Sequence, residues 1–162
     1  MPPNPGGEEQ LASAVRDAAT EKPTPVGPTP DIASAISGKT YKFPANEPGL
    51  KSVTLFLADQ HPHIEYERYL ANPAGASIRY SQPIGLNGLY SKGLPTLSDP
   101  YPGSIPAAKG TWKDATTFEF DTQNIGQGTQ IKYTLSFNGN ELGFRRIDDE
   151  GWVLSATGKR DD

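Results

Sequence analysis

The chain has 162 residues, enough for one domain with a sizeable core and too few for two ordinary ones. Its 17 glycines and 16 prolines exclude a helical bundle or coiled coil, and 15 bases against 19 acids, with no basic cluster beyond Arg145-Arg146, give no footprint for nucleic acid or an anionic membrane. The absence of cysteine excludes disulfides, thiolate nucleophiles and Cys-based metal sites, and the sequence offers neither an apolar run of about 18 residues for a membrane span nor the apolar core of a signal peptide.

Residues 1–37 read as a linker. Seven prolines fall within the first 30 residues, as Pro2-Pro3-Asn4-Pro5 and then Pro23, Pro25, Pro28 and Pro30, a distribution that favours extended backbone. One helical island interrupts them. Between Glu8 and Glu21 there is neither proline nor glycine, Leu11, Val15 and Ala18-Ala19 recur at helical spacing, and Glu8-Glu9 fall in the first turn, where the helix dipole favours negative charge. The apolar stripe is narrow and alanine-rich, too small to hold about 14 residues helical in water, so the helix must dock on something or fray.

From Gly38 onward the hydrophobic period becomes two, and residues 38–160 read as one β domain. Lys39 to Phe43 places Tyr41 and Phe43 on one face; Ser52 to Leu57 places Val53, Leu55 and Leu57; His63 to Leu70 places Ile64, Tyr66 and, beyond Arg68, Leu70. Ile78 and Tyr80 come next, then Ile84, Leu86 and Tyr90 with Gly85 and Gly88 between them. A proline-rich loop from Leu94 to Pro106 leads to Gly110 and Trp112, then to Phe118 and Phe120, and Ile131, Tyr133, Leu135 and Phe137 form the longest alternation. Asn138-Gly139 reads as a type I′ hairpin turn into Glu141 to Ile147, and a turn over Asp148 to Gly151 delivers Trp152 to Thr157. No helical pattern after residue 37 can cover a flat sheet. The expected fold is therefore all-β: an antiparallel up-and-down, lipocalin-like barrel of about 8–10 strands, behind a Pro-rich linker with one short helix.

Asp59, His61, His63, Glu65 and Glu67 would point the same way in an extended chain, the outline of a zinc or non-haem iron site. Alternate strand residues diverge along the strand, however, and Pro62 suggests a turn, so a solvated charged row is the better reading and no metal or other cofactor is expected. Alternation from Leu142 and Phe144 points Arg146 inward. There it would anchor a ligand carboxylate or lie across a ring such as Trp112 to close one barrel end; a bulge that shifts the register would leave both arginines in water. The inward aromatics are core by default. If the barrel instead keeps a pocket for a small apolar ligand, its candidate lining is Tyr66, Tyr80, Tyr90, Trp112, Tyr133 and Arg146. The sequence contains no Gly-x-Ser-x-Gly, Ser-x-x-Lys or Lys-Thr-Gly motif and no phosphate loop, so no catalytic residue is assigned.

Ile36-Ser-Gly-Lys-Thr-Tyr-Lys-Phe43 followed by Ala45-Asn-Glu-Pro-Gly-Leu-Lys-Ser-Val-Thr-Leu55 resembles the start of a domain that follows the catalytic domain in bacterial serine hydrolases of the β-lactamase and penicillin-binding-protein class. Ile84-Gly-Leu-Asn-Gly-Leu-Tyr90, Ala108-Lys-Gly-Thr-Trp112 and Thr117-Phe-Glu-Phe-Asp-Thr122 resemble its later strands, and Pro2-Pro-Asn-Pro5 with the helical island resembles the tether between the two domains. The resemblance covers nearly the whole chain and implies a non-catalytic accessory domain, partnered by an upstream serine hydrolase catalytic domain in the periplasm or elsewhere outside the cytoplasm. Gly110-Thr-Trp112 also resembles the Gly-x-Trp signature of lipocalin-like barrels, although there the motif sits on the first strand. The alternative function is a binding module for a small apolar or glycan-like molecule. The first reading expects an exposed apolar docking patch near the N-terminal tether, the second an internal cavity with polar groups at its mouth.

Overall fold

The computed structural model describes residues 5–70, 75–94 and 103–160. Ten strands follow the N-terminal segment: β1 (Thr40–Lys42), β2 (Leu50–Phe56), β3 (His63–Tyr69), β4 (Ser77–Pro83), β5 (Ser91–Lys92), β6 (Ile105–Trp112), β7 (Thr117–Ile125), β8 (Gln130–Asn138), β9 (Glu141–Asp148) and β10 (Val153–Lys159). They form one antiparallel sheet in the order β4-β3-β2-β1-β10-β9-β8-β7-β6-β5. Every strand pairs with its chain neighbours except across the β4–β5 connection, and the first strand pairs with the last at Lys42 and Lys159. The segment after β4 meets β6 at Gly85, whose N–H donates to the Ala108 carbonyl and whose own carbonyl accepts from the Gly110 N–H, both at 2.9 Å. The result is a nearly closed up-and-down barrel, as a meander without covering helices requires.

Period-two patterning turns one face of each strand inward. Cross-strand register gathers the inward residues into rows: Ala156, Phe144, Leu135, Phe118 and Trp112 form one, and Leu154, Arg146, Tyr133, Phe120 and Gly110 form the next. Gly110 is where the wall must lack a side chain, because a Cβ there would lie 2.4 Å from Cζ of Phe118 and 3.0 Å from Cβ of Phe120. Trp112 packs on Phe118 and Phe137 with ring centroids 5.2 and 5.9 Å apart, and Phe120 stacks on Tyr133 at 4.5 Å.

Three local expectations are corrected. The β8–β9 hairpin pairs Asn138 with Glu141, so its loop residues are Gly139 and Asn140; only Gly139 has positive φ, at 57°, the sign pattern of a type II′ turn and not of a type I′ turn at Asn138-Gly139. Residues 84–90 form a loop and not a strand, since Gly85 approaches the Leu89 carbonyl too closely for any side chain and Gly88 has φ of 82°. Leu70 is exposed, because β3 ends at Tyr69 and Arg68 is the last inward residue of its alternation. Of the expected 94–106 loop, 95–102 lie outside the described residues, as do Pro2, Pro3 and Asn4 of the tether.

The expected linker divides into two parts. Helix α1 (Pro5–Ala19) is the helical island, and its Leu11 and Val15 are 66 and 59 % exposed. Residues 21–37 are fastened to the barrel. Thr24 donates through N–H and hydroxyl to the Gly88 carbonyl at 3.0 and 3.1 Å, the Gly27 N–H donates to the Thr111 hydroxyl at 2.7 Å, and the Glu21 carboxylate accepts from the Tyr90 N–H at 3.1 Å beside the Lys109 ammonium at 3.6 Å. Helix α2 (Ile32–Ile36) then plugs one barrel end: Ala33 and Ile36 are fully buried in the same core as Tyr41, Val53 and Leu55, and Arg160 donates to the Ala35 carbonyl at 3.3 Å. The domain's core therefore begins before the sequence boundary at residue 38. A five-residue helix has too few turns to show a periodicity, which is why it reads as linker.

Burial and register make opposite demands on two neighbouring residues. Phe120 is buried between Phe118 and Tyr133, whereas Glu119 faces outward with only a 3.9 Å ion pair to Lys113. Phe120→Ala should lower stability by about 3–5 kcal/mol and Glu119→Ala by no more than about 0.5 kcal/mol in urea melts. The reverse ranking would put β7 out of register by one residue.

Candidate functional site

The barrel has two unlike ends. At the α2 end the interior is apolar and closed by Ile36, Tyr41, Trp112 and Phe137. At the opposite end, which we term the mouth, the inner wall carries Tyr66, Arg68, Tyr80, Tyr133 and Arg146, all half-buried. β3 and β4 supply one side of it. Tyr66 and Tyr80 are direct cross-strand partners whose rings stack at 5.0 Å and 20°. β8 and β9, five strands round the barrel from β3 and β4, supply the other, with Tyr133 directly opposite Arg146.

Burial pushes the hydroxyls of Tyr66 and Tyr133 above the ordinary tyrosine range, with Tyr133 and Tyr80 raising Tyr66 further while Arg68 and Arg146 pull against the shift. Both phenols therefore stay protonated at neutral pH and serve as donors. The two arginines are not equivalent. Arg68 spends Nε and Nη2 on the Pro48 carbonyl at 3.2 and 3.0 Å. Arg146 keeps 26 % side-chain exposure, and its Nε is buried with no protein partner; the nearby Asp148 Oδ2 lies 3.8 Å from Nη2, beyond hydrogen-bond distance. An unpaired buried donor of this kind costs about 1–3 kcal/mol, and more when charged.

Four of the six candidate residues, Tyr66, Tyr80, Tyr133 and Arg146, thus come together at the mouth, and two do not. Trp112 is core at the α2 end, one row and three strands away from Arg146, so Arg146 faces inward without closing the barrel across that ring. Tyr90 sits at the β4–β5 seam, where the Lys109 ammonium lies 4.5 Å from its ring centroid. It lines an open groove of about 910 Å³ with His61, Pro62, Pro83 and Leu86. Arg68 was not among the candidates, although the alternation Ile64, Tyr66, Arg68 signals it. Trp152, at the β9–β10 turn on the mouth side, is 68 % exposed and donates its backbone N–H to Asp148 Oδ1 at 2.8 Å.

The Asp59–Glu67 row is engaged elsewhere. His63 stacks on Phe56 at 4.3 Å, with Nδ1 2.8 Å from the His61 carbonyl, Asp59 accepts from the Ser37 hydroxyl at 3.3 Å, and Glu67 accepts from Lys51 at 2.7 Å and from the Ser77 hydroxyl. Among the described residues no three His, Asp or Glu side chains converge as metal ligands, and no helix is long and apolar enough to cross a membrane.

No protein-family model and no curated protein matches the sequence. Among solved structures, the chain is similar to secretory abundant heat soluble protein 4 from Ramazzottius varieornatus, with a TM-score of 0.53 and 9 % identity, over 76 % of this chain and 94 % of that one. Likeness at so low an identity concerns the fold alone. It supports the barrel, and it leaves the mouth to be read from its own residues.

Glu67 supplies a pH test. Lys51 and Ser77, with Arg79 at 3.7 Å, hold its carboxyl down to about 2 from an ordinary 4.5. A carboxylate depressed on folding stabilises the native state above its unfolded value and loses that contribution as pH falls towards the folded one. Wild type should therefore exceed Glu67→Gln in urea midpoint at pH 7, with the gap closing between pH 4.5 and pH 2. A constant gap across that range would assign the effect to lost packing.

Proposed function

We propose that the chain is a non-catalytic accessory barrel, which packs through its N-terminal segment on the catalytic domain of a β-lactamase-like serine hydrolase outside the cytoplasm. One observation carries this reading: an amphipathic helix whose Leu11 and Val15 lie in solvent, joined to a strap that is hydrogen-bonded to the barrel at Glu21, Thr24 and Gly27. A helix with an uncovered apolar stripe is stabilised by a partner's surface, and a fastened strap fixes where that partner sits. The strand motifs that resemble the accessory domain of those hydrolases support the choice of partner, and the missing nucleophile motifs support a non-catalytic role.

A second reading, the barrel as a binding module for a small molecule, rests on the aromatic and arginine cluster at the mouth. The two are compatible, since α1 and the mouth are built from different segments.

Immobilised chain mixed with serine hydrolase catalytic domains labelled by fluorescent penicillin should retain a labelled band. Leu11→Glu/Val15→Glu should lose it at an unchanged melting temperature, because neither side chain is buried in the barrel. Retention by both proteins, or by neither, overturns the accessory reading. The chain alone should hydrolyse neither a chromogenic β-lactam nor a p-nitrophenyl ester above the rate of an inert control protein; turnover abolished by replacing one serine would make it an enzyme.

A further inference from the structure

We propose that the mouth binds a small organic carboxylate with a short, flat apolar body, its charge held by Arg146 and its body set between the Tyr66–Tyr80 stack and Tyr133. This rests on the binding-module reading and names the ligand class.

Charge selects the carboxylate. Among the described residues, Arg68 and Arg146 are the cations of the inner wall at this end, and Asp148 is the acid beside them; Glu65, Glu67, Glu119 and Asp121 occupy alternate positions on the outer face of β3 and β7. Asp148 does not satisfy Arg146. Its Oδ1 is taken by the Trp152 backbone N–H, and its Oδ2 stands 3.8 Å from Nη2. The guanidinium of Arg146, whose side chain is 26 % exposed, therefore lacks a hydrogen-bonded carboxylate, and a ligand's carboxylate would supply it in the fork geometry that the two groups share. Phosphate fits less well, because a second charge calls for a second free cation and the Arg68 fork is already committed to Pro48.

Packing limits the body. Immediately behind Arg146 and Tyr133 lies the row of Ala156, Phe144, Leu135 and Phe118, and the Phe144 ring meets Tyr133 edge-on at 5.6 Å. A filled core beneath the mouth leaves no channel for a long acyl chain. The walls favour a flat body, because Tyr66 stacked on Tyr80 and Tyr133 stacked on Phe120, with interplanar angles of 20° and 6°, leave ring edges against which an aromatic face packs. Trp152 adds an exposed ring at the rim.

The test is a nuclear magnetic resonance titration of the 162-residue chain with benzoate, benzamide, octanoate and inorganic phosphate, following the Arg146 Nε–H and Trp152 indole signals. Benzoate should move both, more strongly than the other three probes. Arg146→Gln should weaken benzoate about tenfold or more, and Arg145→Gln, on the outer face, should leave it unchanged. Arg146→Lys, which keeps the charge and loses the fork, should also weaken it, and it serves should the glutamine variant fail to fold. Benzoate affinity unchanged by either Arg146 variant overturns the proposal. Benzamide matching benzoate overturns the carboxylate while sparing the binding module, phosphate or octanoate matching it overturns the ligand class, and no response to any probe overturns proposal and module together.

Discussion

A ten-stranded barrel encloses more width than short aliphatic side chains fill, so the interior needs rings, and rings need wall positions without a side chain. Gly110 and Gly158 are those positions. A Cβ at Gly110 would strike Phe118 and Phe120, and one at Gly158 would lie 2.8 Å from the Phe43 ring. With both walls cleared, Phe43, Phe118, Phe120 and Phe144 meet one another or their neighbouring tyrosine and tryptophan rings in the middle of the barrel. This aromatic layer separates the two ends. Below it lies the end plugged by α2, and above it lie the half-buried residues of the mouth.

The division explains why one chain can carry two roles without conflict. The N-terminal segment is spent on the seam and the α2 end, where the Glu21, Thr24 and Gly27 contacts hold it against the loop before β5 and against β6. The mouth is built from the far halves of β3, β4, β8 and β9, which that segment's contacts do not reach. An arginine left half-satisfied at the mouth is a liability for stability. Such groups persist where a fold gains something other than stability from them.

Much of the barrel was legible in the sequence because alternation is a strong signal when the inward residues are large. Phe118, Phe120, Tyr133, Leu135 and Phe137 all face the interior as their spacing demands. The reading failed where glycine or charge interrupted the pattern. Ile84 to Tyr90 alternates like a strand, yet Gly85 and Gly88 bend it into the loop that seals the seam. Arg68 was passed over in favour of Leu70 because a charged residue is not expected indoors, although its fork finds the Pro48 carbonyl. The mouth was half legible. Inward positions can be counted along one strand, but that Tyr66 on β3 faces Arg146 on β9 depends on closure of the ring, which no local pattern encodes. Trp112 shared the aromatic signature of the mouth residues and differed only in which end of its strand it occupied.

The pairing of β1 with β10 has a consequence for how the chain is made. Hairpin-connected strands find their neighbours as soon as they emerge from the ribosome, since the loops to be closed are short. β1 pairs with β2 in this way, but its other neighbour is β10. The residue opposite Lys42 there is Lys159, so the nascent sheet stays an open, curling ribbon with its aromatic face uncovered until β10 has been synthesised. During that interval the α2 plug has no completed barrel to enter. A chaperone that shields apolar strands co-translationally would find its substrate in this window, and a chain truncated before β10 would leave a ribbon that never becomes a barrel.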